Sequence, residues 1–382
     1  MGRFDHVVIT AANAAQAAGY RAQLAWRARR GSLDPQTRYH VVADPDGRRI
    51  GSLGATLYAL RHLAAQIARA RPGAPGLADL LGDQRIVICH SGGDSRRLPA
   101  YAAQGKVFTP LPTTHRGHPA ALFDLIMANL EQLPAPAAAG TGVGGAADDD
   151  DRASTPSAGG GGGGGRGQVL IYVGDVLLTF DPAAVAFEAP GVVGVAYPGS
   201  IETGSRHGVY VADAAVGAGQ AIAVRSFLQK PDAAEAHAHG AIDAVGRVLI
   251  DTGILSIDPP TTAGLLEAAG VRLRSGGRVA TVRGLLADLE TGRGPGVDLY
   301  EELTMALAPD VDRAAYRAMV SDDQTPAAHR KHLDRLFDAV ADVPFHVNVL
   351  PYCDFFHIGS SREFLANIAT LNRTAEAYGF AN

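Results

Sequence analysis

Apolar and polar positions run along the first third of the chain in two rhythms. Short, nearly unbroken apolar runs, HVVIT at 6–10, YHVVAD at 39–44 and RIVICH at 85–90, have the length and β-branched content of strands buried on both faces. Between them the period lengthens to that of a helix. AAQAAGYRAQLAWRARR at 14–30 and TLYALRHLAAQIARA at 56–70 predict helices, the second with Leu57, Leu60, Ala64 and Ile67 on one stripe. The scheme recurs in the middle of the chain. PAALFDLIMANLEQL at 119–133 predicts a helix through Leu122, Ile126 and Leu130, and QVLIYVGD at 168–175 and VVGVAYPG at 192–199 predict further strands. Strands alternating with helices indicate a wound α/β sheet of parallel strands, covered on both faces.

The rhythm is interrupted at 134–167, PAPAAAGTGVGGAADDDDRASTPSAGGGGGGGRG, where glycine, alanine and acid replace large apolar side chains. Such a segment cannot bury enough surface to offset the entropy of ordering its backbone, which predicts a disordered insertion within one domain spanning 1–382. A linker between two domains is the competing reading. The rest of the composition, 382 residues with 47% hydrophobic content, is that of an ordinary globular protein. A formal net charge of -5 argues against a nucleic-acid partner, which needs a basic surface. Two cysteines, Cys89 and Cys353, each in apolar surroundings, suggest neither a disulfide scaffold nor a zinc site. No run reaches membrane-spanning length and MGRFDHVVIT has no leader pattern, so the expectation is a cytoplasmic protein with no membrane partner.

Candidate chemistry starts where the third strand ends. CHSGGDSRRLPAYAAQGKVFTPLP at 89–112 places Gly92 and Gly93 at the carboxyl edge of the sheet, where bare backbone approaches phosphate oxygens closely. Arg96, Arg97 and Lys106 add positive charge suited to a polyphosphate. A glycine turn followed by a solvated basic loop reads the same way. The lysine count shifts the balance: of 34 basic residues only Lys106, Lys230 and Lys331 are lysine. A compact ammonium fits a phosphoryl oxygen in a tight pocket where a planar guanidinium needs more room. Lys331 lies in HRKHLDRLF, an exposed helix face by its neighbours, whereas Lys230 closes an apolar strand before a proline. Asp175, after a glycine at the end of the QVLIYVGD strand, suits a magnesium ion bridging phosphates or, equally, a helix cap. The run Asp148 to Asp151 reads as solvated charge.

With these residues in place, GGDSRRLPAYAAQGK followed by VGD and LQKP resembles the signature of sugar-1-phosphate nucleotidyltransferases. More narrowly, FDHVVITAANAAQAAGY, VVADPDGRRIGSLGATL, VGDVLLTF, VLIDTGILSID, DLYEEL and FHIGSSREFL, in that order, are similar to the fucose-1-phosphate guanylyltransferase (GDP-fucose pyrophosphorylase) family, including the pyrophosphorylase part of bifunctional fucokinases. The resemblance implies a Rossmann-like, three-layer nucleotide-diphospho-sugar transferase fold with a mostly parallel mixed central sheet. It implies GTP and a sugar-1-phosphate, L-fucose-1-phosphate, as substrates, Mg2+ as cofactor, and in-line attack on the α-phosphate. By carry-over, Gly92, Gly93, Asp94, Ser95 and Arg96 bind the nucleotide, and Arg97, Lys106 and Asp175 are catalytic, Asp175 also holding the metal. Lys230, Asp251, Glu301, Glu302 and His357 bind the sugar phosphate, although two acids on a surface helix are as ordinary a reading of Glu301 and Glu302.

The chain departs from the pattern in places. FHIGSS carries His357 where relatives often place a second metal-binding acid, which leaves one carboxylate on the ion, with Asp354 in reserve. Leu53 in GSLGATL replaces a glycine, which argues against a close backbone approach there and leaves that loop to cap the next helix through Ser52. Neither a sugar-kinase domain nor a substantial C-terminal β-helix is expected. A silent sugar-phosphate binder and a transferase for another sugar are the alternatives; an NAD-dependent oxidoreductase lacks its spaced three-glycine turn.

Overall fold

The computed structural model describes residues 3–91, 93, 97–102, 104–136, 167–212 and 219–374. Most of the interruption at 134–167, including Asp148 to Asp151, lies outside the described residues, as do Gly92, Asp94, Ser95 and Arg96. Among the described residues nine strands form one mixed sheet: β1 (His6–Ala11), β2 (Arg38–Ala43), β3 (Arg85–His90), β4 (Gln168–Val173), β5 (Val192–Ser200), β6 (Gly208–Ala212), β7 (Ala221–Gln229), β8 (Arg247–Ile257) and β9 (Phe345–Val349). Their order is β2-β1-β3-β4-β8-β5-β9-β7-β6. The helices that matter below are α1 (Ala14–Arg29), α2 (Gly51–Ala70), α3 (Leu122–Leu130), α4 (Pro259–Ala268), α5 (Ala327–Val340) and α6 (Ser361–Thr374).

The period-two alternation of the strands divides the core. Val8, Ile86, Ile88, Val169 and Ile171 face α2, α4 and α5, while Val7, Ile9, Val87, Leu170 and Tyr172 face α1 and α3. The Leu57, Leu60, Ala64 and Ile67 stripe of α2 is buried as its spacing predicts. On the opposite face, Arg27 of α1 donates from Nε and Nη2 to Asp124 of α3, at 2.7 and 2.8 Å, in a pair with almost no solvent contact. Asn13 begins α1 by accepting from the Gln16 N–H.

The expectation of a mixed α/β sheet covered on both faces holds, but the sheet is not mostly parallel. Parallel pairing joins β2, β1, β3 and β4, and again β5 with β9. The remaining pairs, β4 with β8, β8 with β5, β9 with β7, β7 with β6 and β6 with β8, are antiparallel. The last pairing returns the sheet on itself, so β8, β5, β9, β7 and β6 make a small closed barrel. Tyr210 fills it, with ring centroids 5.0 Å from Phe227 and 5.7 Å from Phe345. Gly194 is bare there because a Cβ would meet the Tyr210 hydroxyl at 2.2 Å. Apolar alternation gives the period of a strand but not the direction of its neighbour, which is why the sequence pattern did not separate these halves.

The two halves part at β8. Its pairing with β4 covers only Leu255 to Ile257, opposite Ile171 to Val169, while its pairing with β6 covers Leu249 and Ile250. Between these segments the register with β5 shifts, from Asp251 to Leu255. The carboxyl end of β4 is left without a partner on that side, and a cleft opens at the point where parallel winding gives way to antiparallel.

Candidate active site

Asp175 sits in the turn that follows β4, held by a Gly174 so close to β3 that a Cβ would meet the His90 carbonyl at 2.9 Å. Lys106 reaches it from a single helical turn, Lys106–Phe108, entered through Gly105 at φ 72°, where any Cβ would collide with the Tyr20 ring. Lys106 Nζ donates to Asp175 Oδ2 at 2.9 Å. From the far side, strand Asp354–His357 pairs antiparallel with Val176–Thr179 and sets His357 opposite Val176. His357 Nε2 then lies 3.6 Å from the same carboxylate oxygen, and its Nδ1 lies 3.4 Å from Glu363 on α6. Burial by itself would raise the Asp175 carboxyl, but the adjacent His357 imidazole and the Lys106 ammonium outweigh it and hold the group at about 2. Reciprocally, Asp175 raises the His357 imidazole above its ordinary value, against burial and the Lys106 charge.

Asp175 and His357 line a cavity of about 310 Å³ together with Lys230, Asp251 and Glu301. Lys230 directly follows β7 at φ 53°, a left-handed conformation that costs a residue with a Cβ, and its N–H donates to the His207 carbonyl. Asp251 lies in the register shift of β8, accepting from the Gly253 N–H at 3.0 Å and the Tyr210 hydroxyl at 3.3 Å. Burial pushes its carboxyl up to about 7, so near neutrality it exchanges between donor and acceptor. Glu301 is exposed at the cavity, on a wide helical turn, Leu299–Leu303. That turn is pinned to the start of α2: Ser52 Oγ donates to Asp298 Oδ2 at 2.7 Å and accepts from the Leu299 N–H at 2.7 Å.

Thus Lys106, Asp175, Lys230, Asp251, Glu301 and His357, which are far apart in sequence, converge on one cleft. Glu302 does not line it. Its carboxylate accepts from the Asp298 N–H at 2.6 Å, burial pushes it up to about 7, and it closes the turn that carries Glu301. A sequence with two adjacent acids cannot tell which faces the cavity, since neighbours on a helical turn point about 100° apart. Arg97 is exposed outside the cavity lining; its carbonyl accepts from the Ser361 N–H at the start of α6. Gly93 is anchored by Gln16 Nε2 on its carbonyl and lines a neighbouring cavity instead. The reserve acid Asp354 is hydrogen-bonded by Tyr352 and Thr179 and lies outside the lining. Ser52 caps the Leu299 turn rather than its own helix, and the close backbone approach in that block falls at Gly51, where a Cβ would meet the Val297 carbonyl at 2.1 Å. Leu53 is simply buried.

Reasoning from sequence missed Arg206, His207, Asp298, Tyr300 and Phe355, all in the cavity wall. His207 and Arg206 carried one usable signal, a basic pair in a turn (GSRHG) immediately before a strand. Tyr300, whose hydroxyl donates to the Gly253 carbonyl at 3.0 Å, had none.

With this cleft defined, comparison with known proteins is decisive. The family described as "Fucose pyrophosphorylase domain" matches residues 78–149 and 164–382. The chain belongs to the fucose pyrophosphorylase family. Among family relatives, the fucose-1-phosphate guanylyltransferase of Mus musculus is 27% identical over 96% of this chain and 57% of its own length. The bifunctional fucokinase/GDP-fucose pyrophosphorylase of Arabidopsis thaliana is 30% identical over 66% of this chain and 23% of its own. The chain therefore spans about half the length of the mouse relative, and less of the plant one. Among solved structures, UTP-bound UGPase from Acinetobacter baumannii aligns over 98% of this chain and 94% of its own at 8% identity and a TM-score of 0.32, too low to bear on the fold. Among the described residues no helix is long and apolar enough to cross a membrane.

Proposed function

We propose that this chain is a sugar-1-phosphate nucleotidyltransferase that converts GTP and fucose-1-phosphate to GDP-fucose and pyrophosphate, acting in the cytoplasm as one nucleotidyltransferase domain whose parallel half is Rossmann-like. The observation that carries the reading is the cleft itself: two of the chain's three lysines and an ionised aspartate meet at the carboxyl end of β4 in a family named for this reaction. In the reaction a phosphate oxygen of the sugar-1-phosphate forms a bond to the α-phosphorus of GTP. The bond from that phosphorus to the bridging oxygen breaks, and pyrophosphate leaves with the electron pair. No enzyme nucleophile takes part, so the protein's work is to position two anions and offset their charge.

Lys230, beside His207 and Arg206, suits the sugar phosphate, while Lys106, paired with Asp175 at the cavity edge, suits the charge that develops on the transferring phosphate. Asp251 and Glu301 suit the sugar hydroxyls. The donor set fits magnesium: Asp175 is ionised and offers carboxylate oxygens, and magnesium needs only one or two carboxylates when substrate phosphates supply further ligands. Asp175 would hold the ion, which when bound neutralises phosphate charge. Among the described residues no cluster of three or more His, Cys, Asp or Glu suggests a cage built wholly by protein.

The test is pyrophosphate release from GTP, fucose-1-phosphate and magnesium, beside a panel of other nucleoside triphosphates and sugar-1-phosphates. Release with Lys106→Ala slowed about 100- to 1000-fold supports the reading. No release from any pair by the parent chain defeats it.

A further inference from the structure

A second cavity, of about 270 Å³, adjoins the first. Asp298 borders both, and Gly93, the described part of the glycine-rich exit from β3, lines only the second. Its other walls include Asp44, Arg49, Ser52 and His90. Under the nucleotidyltransferase reading, on which this inference rests, the sugar phosphate occupies the first cavity and the triphosphate lies along the exit of β3. The nucleoside must then extend to the other side of Asp298, into the second.

The polar groups of this cavity are not those of a generic aromatic slot. Asp44 follows β2 directly, its N–H donating to the Ala11 carbonyl at 2.8 Å, which fixes the residue at the sheet edge. Among the described residues no side-chain donor is seen on its carboxylate; burial pushes it up to about 6, against the nearby Arg49 charge and the Ile50 N–H, which favour the ionised form. His90 cannot supply a cation, since Thr56 Oγ1 lies 2.9 Å from its Nε2 and burial holds the ring neutral, at about 4. Among the described residues, the cavity therefore presents a partly buried carboxylate with accepting capacity left over. Guanine meets an acceptor pair with two adjacent donors, N1–H and the exocyclic amine, whereas adenine offers a lone pair at N1 and hypoxanthine has lost the amine. A buried acceptor discriminates strongly because the wrong base leaves it desolvated and unpaired.

We infer that this second cavity is the nucleobase site and that Asp44 selects guanine by accepting from N1–H and the exocyclic amine. The experiment compares kcat/KM for GTP, ITP and ATP, with fucose-1-phosphate, in the parent chain and in Asp44→Asn. The parent should favour GTP over ITP by about 10-fold or more and over ATP by about 100-fold or more, and in Asp44→Asn the GTP-to-ATP ratio should fall at least about 10-fold. A merely structural role would lower all three rates alike and leave the ratio unchanged, which overturns the inference. Should the parent turn over no triphosphate, the function reading fails, and calorimetric binding of GDP against ADP decides the base site independently. A GDP preference lost in Asp44→Asn upholds it; a preference kept in the variant, or absent in the parent, overturns it.

Discussion

Lys230 shows most directly how a single position divides stability from function. A lysine at φ 53° is strained by its Cβ, and glycine adopts that conformation freely, though it gains freedom in the unfolded chain. Lys230→Gly is therefore expected to be at least as stable as the parent, by up to about 1 kcal/mol, while kcat/KM for the sugar phosphate falls about 10- to 100-fold through loss of a charge-assisted contact. Chemical denaturation and sugar-phosphate kinetics on the same preparation check both halves; a less stable variant with unchanged kinetics would refute the placement. The rarity of lysine marked this residue and Lys106 beforehand, and Lys331 proves to be exposed on α5, as its neighbours indicated. Glu301 and Glu302 had no such mark, and only the direction of one wide helical turn separates a cavity acid from a capping one.

Between elements, the buried Arg27–Asp124 pair links α1 to α3 across the sheet face opposite α2. Asp124 Oδ2 also accepts from the Ala121 N–H, so one carboxylate starts α3 and neutralises Arg27. Removing it strands a guanidinium under Phe108, 4.9 Å from the ring centroid. Asp124→Ala should cost about 3–5 kcal/mol in urea denaturation, and pairing it with Arg27→Met should recover most of that loss. Helix spacing announced α3 but placed its start too early. Pro119 and its neighbours pair instead with Pro110–His115 as a short hairpin, and the helix begins only at Leu122. The link from α2 to the Leu299 turn through Ser52 and Asp298 was equally hidden, because 246 residues separate the partners.

Over the whole molecule, buried ionisable groups pull in opposite directions with pH. Asp251 and Glu302, raised by burial from their ordinary values to about 7, bind protons in the native state that the unfolded chain has released. Their contribution to stability thus declines as pH rises from about 4 to 7. His40 and His90, lowered to about 4 by burial from 6.5, stay neutral in the native state while the unfolded chain takes up protons, so their contribution declines as pH falls through the same range. The slopes oppose each other in the parent. The double variant Asp251→Asn/Glu302→Gln removes these two carboxyl contributions and should gain stability steadily from pH 4.5 to 6.5 relative to the parent; parallel curves by denaturation at four pH values would contradict this.

The sequence by itself determined the alternating strands and helices of the first half, the buried faces of α2 and α3, the family, and most of the residues that meet in the cleft. These are local signals: periodicity records which side of an element is dry, and a rare ammonium or a glycine beside a charge records a local need. Tertiary structure alone decided that β8 runs antiparallel to β4, that the second half closes around Tyr210, and that Asp298 stands between two cavities. Strand direction, barrel closure and shared walls depend on contacts between segments from about 40 to more than 200 residues apart, whose free energies leave no period in the chain.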